Sequence, residues 1–213
     1  MIKAVIFDMD GVISDTQKLH ASIEVDLLKK YGVFVTAEEI TKNYNGLPDK
    51  VFFEKIFKAY NVLADIDSIR KEKWEKMMVS APGNIFAIPG AVKIINDLRL
   101  MGLKLGVASS SSAEFVELVL SELEIKNNFD AITSTAEVKF GKPNPDIFLL
   151  AAKKLGADPK ECVVIEDAIS GMTAAKSAGM MCVGLIHDDR NYPADLTVTT
   201  LEDLTVEKII NLK

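Results

Sequence analysis

At 213 residues, 48% hydrophobic and 26% charged, the chain has an ordinary globular composition with room for one sizeable core, or for a core plus a smaller insert. Its net charge of −6, with no cluster of Lys and Arg, disfavours nucleic acid and anionic membranes as partners. Met180 to Ile186 is far too short to span a bilayer, Asp8 interrupts any signal-peptide core, and Cys162 and Cys182 form no disulfide framework, so a cytoplasmic monomer is expected.

The first element is Ala4 to Phe7, an apolar run rich in β-branched residues and suited to a strand buried on both faces. It ends in Asp8 and Asp10, with Gly11 letting the chain turn away. From Thr16 to about Ala81 the pattern is helical. Leu19, Ile23, Leu27, Leu28 and Tyr31 share helical spacing and Gly32 closes that segment; further helices are expected over 37–44, 49–60 and 65–79. Ala81-Pro82-Gly83-Asn84 and Ile88-Pro89-Gly90 supply the breakers of a return linker. Strands and helices then alternate: helix 91–101, strand 103–108, helix 112–123, strand 130–134, helix 145–155, strand 162–166, helix 169–178, strand 180–185 and a helical piece near 205–211. Such alternation predicts an α/β fold, a Rossmann-like parallel sheet with helices on both faces. The all-helical block, 16–81, reads as an insert between the two parts of the core, 1–15 and 82–213.

Ligands of open parallel sheets bind beyond the carboxyl ends of the strands. Asp8, Ser109-Ser110 and Glu166-Asp167 stand at three such ends, and Gly141-Lys142-Pro143-Asn144-Pro145 follows a fourth strand. Carboxylates crowded there are costly unless something cationic sits between them. Each fits phosphoryl transfer. An aspartate such as Asp8 can attack phosphorus and divide one hard step into two easier ones. Mg²⁺ takes one or two carboxylates plus waters and phosphate oxygens, so Asp8, Glu166, Asp167 and the Asp10 carbonyl are its candidate ligands. Lys142 and the Ser109 hydroxyl can hold phosphate oxygens, and Asp10 can lean over the site as general acid and base.

Competing readings are weaker. An EF-hand loop needs glycine at its sixth position, where Val12 and Ile13 stand. Gly141-Lys142 is no Walker loop, because Pro143 replaces Ser/Thr and Ala136 the first glycine. Some residues read as punctuation: Asn144 as helix N-cap with Pro145 first in the helix, Ser111 with Glu114 as a capping box, and Thr16 or Asp15 as the cap of the first insert helix. His20 lies just off that helix's apolar stripe, His187 sits in a polar loop, and Trp74, Met77 and Met78 suit the insert's own core.

Asp8-x-Asp10-Gly11-Val12-x-x-Asp15-Thr16, Ser109, Gly141-Lys142-Pro143-x-Pro145 and Val164-Ile165-Glu166-Asp167 together resemble the haloacid dehalogenase-like phosphohydrolase superfamily. The insert after the first motif is similar to that family's cap domain of the β-phosphoglucomutase type. The resemblance covers essentially the whole chain, with the motifs in order. It implies Asp8 as nucleophile, Asp10 as acid/base, Ser109 and Lys142 as partners of phosphate and nucleophile, and Glu166 and Asp167 as Mg²⁺ ligands. A cap swinging as a lid adds expected substrate contacts. Those candidates are Gly11, Thr16, His20, Asn45, Gly46, Lys50 and Ser110, with residues 42–50 reaching over the site.

The β-phosphoglucomutase type holds a second phosphate with a cap Arg and a Lys-Asn pair after the serine loop. This chain has Pro48-Asp49-Lys50 and Ser111-Ser112-Ala113 there. The expected activity is therefore hydrolysis of a small sugar or polyol monophosphate. Phosphomutase is the alternative, and an inactive metal-binding or interaction domain is the second.

Overall fold

A computed structural model of the chain describes residues 1–44, 47–186 and 188–212. The strands are β1 (Ala4–Phe7), β2 (Lys104–Ser109), β3 (Ala131–Ser134), β4 (Cys162–Glu166), β5 (Met181–Leu185) and β6 (Leu196–Val198). All pairings are parallel, in the order β3-β2-β1-β4-β5-β6. Chain direction across the sheet therefore reverses beside β1, where α/β folds open a crevice beyond the strand ends.

Every residue of β1 is buried, because both of its faces are covered. Val5 and Phe7 join Leu105, Val107, Val163 and Ile165 in one apolar cluster. Ala4 and Ile6 join Ala108, Cys162 and Val164 in the other. Helices α5 (Ala91–Leu100), α6 (Ala113–Glu122) and α9 (Val206–Ile210) pack into the first cluster, and α7 (Asp146–Leu155) and α8 (Ile169–Ser177) into the second.

Between β1 and α5 lie four helices: α1 (Gln17–Lys29), α2 (Ala37–Tyr44), α3 (Asp49–Ala59) and α4 (Ile66–Ser80). Leu27, Phe53, Ile56, Ile69 and Met77 line their shared interior. The chain leaves and returns along a hydrogen-bonded neck: the Asp15 amide donates to the Phe86 carbonyl at 2.8 Å, and the Ile88 amide to the Ile13 carbonyl at 2.9 Å.

Several expectations need correction. Strand β6 carries no sequence signal, since three residues cannot display a period. Met78 is exposed, whereas Met77 is buried. Asn144 does not cap α7; its side-chain amide donates to the Gly141 carbonyl at 3.2 Å, and Pro145 occupies the cap position. Among the described residues, no helix is long and apolar enough to cross a membrane.

Candidate active site

Strand register places the first carboxylate. Phe7 pairs with Val107 and with Ile165, so Asp8 emerges beside Ala108 and Glu166, and its amide still donates to the Ile165 carbonyl at 2.9 Å. Lys142 enters between these strand ends. Its Nζ donates to Asp8 Oδ1 at 2.5 Å, Glu166 Oε1 at 2.7 Å and the Ala108 carbonyl at 3.1 Å. All three N–H donors are thus used, on a side chain only 2% exposed. Glu166 Oε2 accepts from the Ala168 amide at 2.7 Å, fixing the second carboxylate.

Burial pulls the Lys142 ammonium down, but the carboxylates of Asp8 and Glu166 outweigh it and hold the group above its ordinary range. Asp8 goes the other way. Burial, reinforced by Glu166, Asp167 and Asp10, raises its carboxyl well above the usual range despite Lys142. One lysine does not neutralise this cluster.

Asp10 sits in a turn that folds back on Met9, whose carbonyl accepts from the amides of Ile13 at 2.9 Å and Ser14 at 3.0 Å. Gly11 has φ +93°, a left-handed conformation that side chains rarely adopt, and a Cβ there would meet Gln17 and Asp167. The Asp10 carboxylate lies in a cradle. Thr16 donates to Oδ1, Ser111 to Oδ2 at 2.7 Å and Ser109 to Oδ2 at 3.4 Å, while His20 Nε2 lies 3.3 Å from Oδ1 without hydrogen-bond geometry. Burial disfavours the charged form, yet His20 and the donors from Thr16 and Ser111 prevail and hold Asp10 below the usual carboxylate range.

Two capping assignments change accordingly. Ser112, not Ser111, caps α6 by accepting from the Phe115 amide at 3.3 Å, which frees Ser111 to reach Asp10. Thr16 stands at the N-cap of α1, but its hydroxyl serves Asp10 rather than the helix amides.

Gln17 went unnoticed in the sequence. Its Nε2 donates to Asp167 Oδ2 at 2.6 Å and to the Asp10 carbonyl at 3.1 Å, bridging two of the three oxygens that could join Asp8 around a hard cation. Among the described residues, no three acidic, His or Cys side chains form a ready-made metal cage. Glu166 in particular is turned to Lys142 and Ala168. An oxygen set of two carboxylates and one carbonyl, in surplus negative charge, still suits Mg²⁺, which commonly keeps several waters.

Above these groups lies a cavity of about 100 Å³. Asp8, Asp10, Ser110, Lys142, Glu166 and Asp167 line one end of it. From α1, Gln17, His20, Ala21 and Glu24 face it at helical spacing, a stripe beside the apolar one. His20 is therefore a cleft residue, packed edge-on against Trp74 and Phe115 with ring centroids 5.7 and 5.6 Å away. Trp74 also lines the cavity while packing against the apolar core.

Thr41, Tyr44, Leu47 and Asp49 face the cavity as well, and Pro48 lies close over Gly141, where an added Cβ would sit 3.0 Å from Pro48 Cγ. Lys50 does not face it; it is exposed, with Nζ 4.0 Å from Glu54. Asn45 and Gly46 lie outside the described residues, as does His187.

The chain matches the haloacid dehalogenase-like hydrolase family over residues 5–185 and belongs to it. It is 33% identical over 213 residues to the β-phosphoglucomutase of Bacillus subtilis strain 168, covering 97% of this chain and 93% of that one. The fructose-1-phosphate phosphatase YqaB of Escherichia coli K12 is 33% identical over 180 residues, 84% of this chain and 93% of the relative. Among solved structures, the β-phosphoglucomutase of Clostridium difficile superposes with a TM-score of 0.87 at 30% identity, covering 98% of this chain and 96% of that one.

Proposed function

We propose that the protein is a Mg²⁺-dependent phosphatase that hydrolyses a small sugar or polyol monophosphate through an aspartyl-phosphate. The observation that carries this reading is the lysine clamp: Lys142 holds Asp8 at 2.5 Å and Glu166 at 2.7 Å at the floor of the cavity, with the Asp10 carboxylate two residues on.

Asp8, the Asp10 carbonyl and Asp167 would hold the ion. When bound, it supplies Lewis-acid charge that offsets repulsion between an anionic nucleophile and a phosphate. Asp8 attacks phosphorus, the ester oxygen departs, and water later cleaves the acyl-phosphate. Lys142 steadies the attacking carboxylate, and Ser109 and Ser110 with neighbouring amides meet the phosphoryl oxygens. Asp10 passes a proton to the leaving oxygen and later takes one from water. With both of its oxygens engaged by Thr16, Ser111 and Ser109, it must give up some of these donors to do so.

Residues 16–81 act in this reading as a cap domain over a core of 1–15 and 82–213, hinged at the Ile13–Asp15 and Phe86–Ile88 neck. The test is release of inorganic phosphate from phosphorylated metabolites, with Mg²⁺ and with EDTA. Asp8→Asn should lower turnover by several orders of magnitude. Similarity to β-phosphoglucomutases makes hexose 1-phosphate isomerisation the second reading, and the same samples report it. Equal phosphate release by wild type and Asp8→Asn would end the proposal.

A further inference from the structure

A second buried ion cluster shares the cavity. Lys73 of α4 donates from Nζ to Glu24 Oε1 of α1 and to Asp49 Oδ1 of α3, each at 2.5 Å, with its side chain only 2% exposed. All three residues line the same cavity as Asp8 and Lys142. Glu24 lies two turns beyond Gln17 on α1, about 10 Å along the axis. The two ion clusters thus stand apart along one wall, at a spacing that suits an extended sugar or polyol phosphate.

Resting on the hydrolase reading, we infer that Glu24, Asp49 and Lys73 form the specificity end of the site, binding hydroxyl groups of an uncharged substrate tail and rejecting a second phosphate. The chemistry at this end is mixed. Two of the three Lys73 donors are used, leaving one for a ligand oxygen. Among the described residues, each carboxylate has one oxygen on Lys73 and no hydrogen bond at the other. Hydroxyls both donate and accept, so they match donors set between acceptors. A second phosphate meets two carboxylates and one already engaged lysine, an excess of one negative charge that repels it. The surrounding wall of Ile40, Leu47, Phe52 and Trp74 offers no other charge.

The triad also ties three helices together, but a tie alone is met as well by apolar packing. Its place on the cavity wall is what a tie does not require.

The experiment compares kcat/KM for a hexitol monophosphate, a hexose bisphosphate and phenyl phosphate, using wild type, Glu24→Gln and Asp49→Asn. Wild type should favour the hexitol monophosphate over the bisphosphate by about a hundredfold, because like charges brought together are disfavoured. Either substitution should lower the hexitol-to-phenyl phosphate ratio about tenfold, mainly through KM, and narrow the gap to the bisphosphate. A wild-type preference for the bisphosphate overturns the inference, and needs no variant to be seen. So does a hexitol-to-phenyl phosphate ratio that neither substitution moves. If no ester is hydrolysed by wild type, the hydrolase reading itself falls and this inference with it; phenyl phosphate turnover separates the two failures.

Discussion

Gly171 offers a test in which two physical effects predict opposite signs. It lies within α8, where glycine ordinarily costs about 0.8–1 kcal/mol relative to alanine. A Cβ at Gly171, however, would fall 1.6 Å from Glu166 Oε1 and 2.0 Å from its Cδ. Gly171→Ala must therefore push the Glu166 carboxylate away from Lys142, 2.7 Å distant, and from the Ala168 amide, also 2.7 Å distant. Two charge-assisted hydrogen bonds at about 1.5–3 kcal/mol each exceed the helix gain, leaving a net loss of about 2–5 kcal/mol. For a chain of this length that lowers Tm by about 4–20 °C. Urea denaturation followed by circular dichroism in EDTA measures it. Introduced into a Glu166→Ala background, the same substitution should instead stabilise by up to about 1 kcal/mol, because nothing remains to collide with. A neutral or stabilising Gly171→Ala in the native background would refute the reasoning.

The serine loop separates a structural from a chemical role. Ser112→Ala should cost about 0.5–2 kcal/mol by uncapping α6, as read by urea denaturation. Burial works against the Asp10 carboxylate while His20, Thr16 and Ser111 favour it, so Ser111→Ala should raise its pKa. As the acid that protonates the leaving oxygen, Asp10 sets the descending limb of the pH dependence of kcat/KM; that limb then moves to higher pH, and an unmoved limb would count against Asp10 in proton transfer. Burial pushes the Cys162 thiol up to about 11 and Cys182 higher still, so the native protein should react slowly with a thiol reagent at pH 8 and fast in urea. Added Mg²⁺ should raise the Tm of wild type in line with its binding, and less that of Asp167→Asn.

Much of the fold was legible because its signals are local. The run Ala4 to Phe7 was read as a strand, and the structure has β1 there with every residue buried. The helices expected over 37–44 and 49–60 appear as Ala37–Tyr44 and Asp49–Ala59. Sequence spacing says less about which way a polar side chain turns. Ser111 and Ser112 are adjacent and identical, and only the path of the chain into α6 decides which one caps the helix and which one reaches Asp10. Glu166 and Asp167 are adjacent too; strand register points the first at Lys142, while Gln17 holds the second. Gln17 and Glu24 flank the candidate His20 at spacing i, i+3 and i+7, a polar stripe beside the apolar one that carries no motif of its own. Lys50 was the cap cation favoured from sequence, yet the cation that lines the cavity is Lys73, brought there by the packing of α4 against α1 and α3.

The two lysine clusters also explain each other. Lys73 and Lys142 each sit between two carboxylates, and in each case burial is outweighed by the carboxylates, so both ammonium groups lie above their ordinary range. A lysine whose folded pKa exceeds its unfolded value of about 10.4 contributes stability throughout the neutral range, lost only as pH rises beyond that value. Both clamps therefore persist where an enzyme works. The difference lies in the remaining charge. Around Lys73 stand Glu24 and Asp49 alone, whereas near Lys142 the Asp8 carboxyl also feels Asp167 and Asp10. Its pKa is raised accordingly, so at neutral pH the ionised cluster weakens the empty fold, and a divalent cation would turn that cost into affinity. On the proposed reading the floor of the cavity, with the larger negative surplus, takes the metal and the phosphate, and the far wall, with one negative charge in excess, takes hydroxyls.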